Sequence, residues 1–259
     1  MATKSQQKRK ELRDKRLQAE AQAQNADKRQ NLVKILGIAA FLVVIGVVVA
    51  IVAISSGGGG GDGKSSSDVN KLLAGIPQNG TTLGNPDAKI TLYEFGDLQC
   101  PICDQYSKDA TPAIIKNVVR PGKANWDFKQ WAILGPDSTL AAKAALAAAE
   151  QNRYWQYIEY FYANQGIENS GYVTDDFLTE IANDAGVPDI DQWNKDRESA
   201  AIAKQVEQTD AQASNLGFSG TPSFAIQVGD GEIQPVQTSS STAAADEIAK
   251  AIDKAQSGS

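Results

Sequence analysis

The sequence predicts an α/β domain in which a mixed central sheet carries a helical insertion, preceded by one membrane-spanning helix. A strand-like run at residues 89–95 leads into Cys100-Pro101-Ile102-Cys103 at the start of a helix, and a second strand-like run at 224–228 follows Gly220-Thr221-Pro222. Between them lies a long alanine-rich and aromatic stretch of helical periodicity. The membrane helix rests on residues 35–54, twenty uncharged and almost wholly apolar residues, enough at helical rise to span the hydrocarbon core of a bilayer.

Residues 1–34 hold ten Lys or Arg against four Asp or Glu; the rest of the chain holds fifteen against twenty-seven, within an overall net charge of −6. The excess of cations on one flank of the apolar run puts this basic arm in the cytoplasm and everything after residue 54 outside, in a single-pass cell-membrane protein. A cleaved signal peptide is the competing reading, but its apolar and basic regions are usually shorter, and no small-x-small cleavage site is evident here. An acidic domain offers no footprint for phosphates, which excludes nucleic acid as its expected partner. Residues 55–83 open with the run Ser55-Ser56-Gly57-Gly58-Gly59-Gly60-Gly61 and read as a flexible tether and lead-in, with a turn at 76–80 between short extended pieces. The folded domain is assigned to residues 84–256.

Its first strand ends at Gly96-Asp97, and Pro101 suits the first turn of a helix predicted over 102–118. The cysteines at 100 and 103 are the only two in 259 residues. A helix N-terminus presents unpaired N–H groups and the positive end of the dipole, both of which favour thiolate at Cys100; Cys103, one turn further in, is the less exposed thiol. Attack through Cys100 and release through Cys103 is the cycle of thiol–disulfide exchange. A structural disulfide closing so short a loop would constrain little of the unfolded chain. A zinc site needs about four ligands, and the chain has no histidine. Neither a metal nor a cofactor is expected.

Further strands are predicted at 126–133, 224–228 and 232–237, a helical insertion at about 138–215, and a last helix at 242–255. Within the insertion, an alanine-rich run at 140–150 precedes an aromatic one at 154–162, in which Tyr154, Ile158 and Phe161 share a face and read as core. Helices at 174–185 and 190–215 follow, and Gly217 is a stop signal. Thr221-Pro222, just ahead of a strand, is a candidate cis bond, with an ordinary turn proline as the alternative on this segment alone.

The paired motifs, with Pro222 lying 119 residues beyond Cys103, resemble those of the thioredoxin superfamily and specifically of its DsbA-like thiol–disulfide oxidoreductases, over roughly residues 84–254. The resemblance implies a thioredoxin-like fold with a DsbA-type helical insertion. It implies catalytic positions at Cys100, Pro101 and Cys103, and at Thr221 and Pro222 in a cis-proline loop facing them. Glu94, six residues before Cys100, matches the buried acid beneath the cysteines of many relatives, where it is placed to accept the proton of Cys103; a purely structural reading of Glu94 also stands. Lys129 falls at a position often basic in the family, with a solvated edge charge as the alternative. Ile102 departs from the histidine of the best-known oxidases, whose imidazole would have stabilised the thiolate.

The activity implied is a membrane-tethered, extracytoplasmic enzyme forming disulfides in exported proteins that carry cysteine thiols, re-oxidised by a membrane quinone-linked oxidase of the DsbB or vitamin K epoxide reductase type. An extracytoplasmic thiol reductase or isomerase is the alternative, followed by a non-catalytic tethered peptide-binding module. Potentials across this fold run from about −270 mV to about −120 mV, and the motif residues do not fix a place in that span.

Overall fold

The run Ile-Thr-Leu-Tyr-Glu-Phe at residues 90–95 is rich in β-branched and aromatic side chains that fit a pleated, half-buried surface, and it forms the strand around which the sheet is arranged. The computed structural model describes residues 66–257. Their elements in order are α1 (Ser66–Leu73), β1 (Gln78–Asn79), β2 (Thr82–Leu83), β3 (Ile90–Gly96), α2 (Pro101–Asp109), α3 (Thr111–Ile114) running into a π-helical turn (Ile115–Val119), β4 (Asn125–Gln130), α4 (Pro136–Ala149), α5 (Tyr154–Ala163), α6 (Asp175–Asp184), α7 (Ile190–Arg197), α8 (Ala200–Asn215), β5 (Ser223–Val228), β6 (Gln234–Val236) and α9 (Ser241–Ser257). The basic arm, the proposed membrane helix at 35–54 and the first part of the tether lie outside the described residues. Among the described residues no helix is long and apolar enough to cross a membrane.

The six strands lie in the order β1-β2-β4-β3-β5-β6. β3 runs parallel to β4 and antiparallel to β5. A parallel pair cannot be joined by a tight hairpin and needs a crossover; here α2, α3 and the π-helical turn supply it, and the cysteines open it. The β3–β5 register sets Phe95 opposite Ser223 and Glu94 opposite Phe224. Thr221-Pro222 therefore arrives at the end of β3 from which the cysteine loop departs.

Alternation along β3 separates two faces. Leu92 and Glu94 share a face with their β4 partners Trp126 and Phe128. That face is covered by α5, with Trp126 and Trp155 rings 4.9 Å apart and Phe128 edge-on to Tyr154 at 6.4 Å. On the other face Phe95 packs edge-on against Trp131 at 6.5 Å and Phe218 at 5.2 Å, and the Trp131 indole donates to Asp210 on α8.

Helix α5 is buried all round except at Gln156 and at its last residue, Ala163, not along one stripe. The insertion wraps it between the sheet and helices α4 and α6, and the polar tips of Tyr154, Trp155, Tyr157 and Tyr162 find carbonyls. Tyr154 donates to Phe128 O at 2.8 Å, Trp155 Nε1 to Thr81 O at 3.0 Å and Tyr157 to Leu178 O at 3.2 Å.

Several boundaries differ from the sequence reading for local reasons. The helix expected over 102–118 is interrupted at Ala110, because Pro112 lacks an N–H and its ring crowds the carbonyl four residues back. The helix expected over 190–215 divides at Glu198-Ser199, where the Ser199 hydroxyl accepts from Ile202 N and caps a new helix. The strand expected over 126–133 stops at Gln130, since the amides of Ile133 and Leu134 bond to a side chain, Asp97, instead of a strand. Within the stretch read as tether and lead-in, Ser66–Leu73 is helical and buries Val69 and Leu73, with Arg120 donating to the carbonyls of Lys71, Leu72 and Ala74. Packed structure thus begins ahead of residue 84.

Gly96, the last residue of β3, lies directly against the Phe128 ring, and a Cβ there would overlap it. Gly96→Ala should cost about 1–3 kcal/mol through overpacking, read as a lowered denaturant midpoint at unchanged slope.

Candidate active site

Cys100 occupies the N-cap of α2 in an extended conformation, φ −71° and ψ 117°, with Pro101 in the first turn and Asp104 N donating to Cys100 O at 3.1 Å. Both cysteines are free thiols; Cys100 is 6% exposed and Cys103, one turn deeper, 0%. A hydrogen bond from the Cys103 thiol holds the Cys100 thiol down at about 6, against the opposing effect of its burial. The Thr221 side chain and the backbone N–H groups of Cys103 and Ile102 add to the lowering. Burial, and then the neighbouring Cys100, push Cys103 well above the ordinary thiol range. One helical turn thus separates a stabilised thiolate from a protonated thiol, the pairing that exchange with an external disulfide or dithiol requires.

The loop carrying Cys100 is fixed from three directions. The buried Asp97 carboxylate accepts from the backbone N–H of Gln99 at 2.9 Å, Ile133 at 2.8 Å and Leu134 at 3.0 Å, tying the end of β3 to the segment after β4. The Gln99 amide donates to Ser138 Oγ on α4 and accepts from Asn169 N, both at 3.0 Å. From the end of α5, Gln165 Nε2 donates to Leu98 O at 2.7 Å and to Cys100 O at 3.2 Å. Sequence reasoning missed Asp97, Gln99 and Gln165. Asp97 and Gln99 flank the motif, but nothing local tells a buried amide from a solvated one, and Gln165 meets the loop only through the tertiary fold.

Thr221-Pro222 is a cis peptide bond. Its Thr221 carbonyl accepts from the Cys100 thiol at 3.6 Å, so the sequence-predicted loop faces the sequence-predicted cysteine. Glu94 is 5% exposed on the face of β3 beneath α2. Burial, then the negative charge of Glu159, raise its carboxyl to about 8, and Glu94 in turn contributes to the raised value at Cys103. Lys129 does not join the site. It pairs with Phe95 on the opposite face of the sheet, bonds Asp127 at 2.7 Å and lies over the Tyr93 ring. Three exposed isoleucines lie on segments tied to this loop: Ile102 within the motif, 59% exposed, Ile133, whose amide bonds Asp97, and Ile167, 81% exposed, between Gln165 and Asn169.

A central sheet of this topology, a CxxC motif at a helix N-terminus and a cis-proline loop against the first thiol define a thiol–disulfide oxidoreductase. The chain belongs to the thioredoxin family: the family model described as Thioredoxin matches residues 77–254. It is 28% identical over 195 residues to disulfide bond formation protein D of Bacillus subtilis, covering 73% of this chain and 83% of that protein. It is likewise 28% identical over 205 residues to the probable disulfide bond formation protein D of Bacillus cereus, covering 76% and 89%.

Among solved structures, oxidised BdbD from Bacillus subtilis superposes with a TM-score of 0.57 at 24% identity, over 67% of this chain and 91% of that one. A thioredoxin-like oxidoreductase from Silicibacter pomeroyi gives 0.51 at 27% identity, over 71% and 97%. The protein is a DsbA-like protein disulfide oxidoreductase.

Alkylation of the reduced protein should follow one thiolate with a midpoint near pH 6, mapped to Cys100 by mass spectrometry, while Cys103 stays unlabelled across the neutral range. The depressed folded-state value also has a stability consequence. The Cys100 contribution is complete above the ordinary thiol value of 9.0 and is lost as pH falls through about 6. The melting advantage of the reduced protein over reduced Cys100→Ser should therefore shrink between pH 9 and pH 6.

Proposed function

We propose that the protein is a membrane-tethered, extracytoplasmic disulfide donor that forms disulfides in exported proteins. The observation that carries this reading is the stabilised Cys100 thiolate. Whatever stabilises the reduced pair makes its disulfide the stronger oxidant, since the reduced form is then the favoured product. The names of the Bacillus relatives, disulfide bond formation protein D, support the same direction. The tether assigned to residues 35–54 and the linker after it would put the domain where disulfides are made and kept.

In the proposed cycle a substrate thiolate attacks Cys100 Sγ of the Cys100–Cys103 disulfide. The bond between the two enzyme sulfurs breaks, and Cys103 leaves as a thiolate that takes a proton. A second substrate thiolate then attacks the substrate sulfur of the mixed disulfide and releases Cys100 as its stabilised thiolate. The substrate dithiol has lost two electrons and the enzyme disulfide has gained them. Pro101 fixes the first turn that aims amides at Cys100, Thr221 and Pro222 flank its sulfur, and Glu94 handles the Cys103 proton. The exposed side chains of Ile102, Ile133 and Ile167 suit chains that have not yet buried their own apolar segments. Re-oxidation falls to a membrane quinone-linked oxidase of the DsbB or vitamin K epoxide reductase type.

Equilibration of the full-length protein, in detergent, with glutathione redox buffers tests the direction. A potential above roughly −150 mV is expected and marks a donor, whereas one near −250 mV would make the protein a reductase. Cys103→Ala should accumulate mixed disulfides with exported proteins through Cys100; a variant that traps none would overturn the exchange mechanism.

A further inference from the structure

The contributions that hold the Cys100 thiol low are hydrogen bonds, first from the Cys103 thiol, then from the Thr221 side chain and the N–H groups of Cys103 and Ile102. A hydrogen bond weakens steeply as its angle or length drifts, so the stability of the Cys100 anion depends on how firmly its loop is held. Charge does not substitute for that geometry. The titratable groups gathered around the loop are acids and phenols: Glu94 on β3, Asp97 just after it, Asp104 on α2, Asp137 on α4, and Tyr162 and Tyr172 of the insertion. The neighbouring cation, Lys108, bonds Asp104 at 2.6 Å.

The end of α5 grips the backbone of this loop. Gln165 N donates to Tyr162 O at 3.3 Å, so the last turn carries on to Gln165. The Tyr162 hydroxyl donates to Asp97 O at 3.3 Å, and Gln165 Nε2 donates to Leu98 O at 2.7 Å and to Cys100 O at 3.2 Å, one amide hydrogen for each carbonyl. Gln99, between them, is held through its side chain by Asn169 N and Ser138 Oγ, both at 3.0 Å. The peptide unit joining Cys100 to Pro101 has no N–H, so its orientation rests on what its oxygen accepts, from Asp104 N and Gln165. The grip is anchored in the core of the insertion. Gly166 lies against the Tyr172 ring, where a Cβ would overlap it, and that ring packs against Phe161 at 6.2 Å and Phe177 at 5.1 Å. Burial pushes the Tyr162 phenol well above its ordinary range, which keeps it a neutral donor.

We propose that Tyr162 and Gln165 are positioning residues through which the insertion sets how strongly the loop stabilises the Cys100 anion, and with it the potential of the Cys100–Cys103 disulfide. Each acts through the loop backbone, not on the sulfur. With their oxygens directed at Gln165, the carbonyls of Leu98 and Cys100 are committed to the insertion, and the first turn of α2 keeps the Ile102 and Cys103 N–H groups on the sulfur. Without those donors the turn loses its fixed aim and the thiolate is less favoured. A less favoured thiolate makes the dithiol a poorer product and the disulfide a weaker oxidant. This role requires exchange through Cys100 but not a particular direction, since it concerns a shift from the wild-type potential and not that potential's value.

Gln165→Met keeps the length of the side chain and removes both N–H groups, and the test compares it with wild type in the full-length protein in detergent. Its alkylation midpoint is expected to rise from near pH 6 by about one pH unit, a tenfold fall in the ratio of thiolate to thiol at fixed pH. Against glutathione buffers its disulfide should be about fivefold to tenfold less oxidising, a potential about 20–30 mV below wild type. Tyr162→Phe loses a single donor and should move both readings the same way, by about twofold. Thermal melts of the reduced proteins, run in parallel, show whether each variant is folded. A Gln165→Met protein that melts cooperatively yet keeps the wild-type midpoint and potential would make the end of α5 a strut only and overturn the proposal. If Gln165→Met does not fold, an unmoved midpoint in folded Tyr162→Phe overturns it equally.

Discussion

Because β3 is hydrogen-bonded on both edges, parallel to β4 and antiparallel to β5, its C-terminal end is the one place where two distant stretches of chain must meet. Parallel pairing with β4 forces a covered crossover, and the first residues of that crossover are the cysteines. Antiparallel pairing with β5 delivers the residues just before that strand, Thr221 and Pro222, to the same end. The Cys100 contact to Thr221 O follows from strand register, and a one-residue slip of β5 would turn its buried side chains to the wrong face and carry Thr221 away from the thiol.

From that placement the asymmetry of the two thiols follows with little added. Cys100 sits where helix α2 still has free N–H groups, so its anion is solvated by protein dipoles; Cys103 is a turn inward, packed under the same helix with no route to water. The loop must also hold its shape while sulfur bonds are made and broken. The Asp97, Gln99 and Gln165 bonds do this by tying the loop's backbone and side chains to three separate segments, including the insertion. The insertion is therefore part of the machinery that orients Cys100.

Much of this was legible in the sequence where a local rule decides the matter. The strand before the cysteines, the helix start at Pro101 and the Gly217 stop each depend on a short segment with its own conformational preference, whereas the approach of Thr221-Pro222 was read from the family resemblance and is set by strand register. What was illegible depends on packing between segments. The one-sided helix expected at 154–162 proved buried at every position but Gln156, because a second layer of helices covers its outer face, and periodicity reports only that a face is apolar, not how many partners it has. The break at Glu198-Ser199 was masked by a run of residues with good helical propensity on both sides. Lys129 lay one position from Phe128, which shares the face of Glu94; that single step put it on the far side of the sheet.

The same reasoning explains how the fold tolerates a concentration of acidic groups beneath its reactive sulfurs. A lone buried carboxyl resolves its desolvation by staying protonated, and a lone buried thiol does the same; neither is then of use as a base. The raised value at Glu94 and the raised value at Cys103 are thus consequences of one dry, negatively biased compartment. Cys100, at the N-terminus of the same helix, keeps the low value that a nucleophile needs.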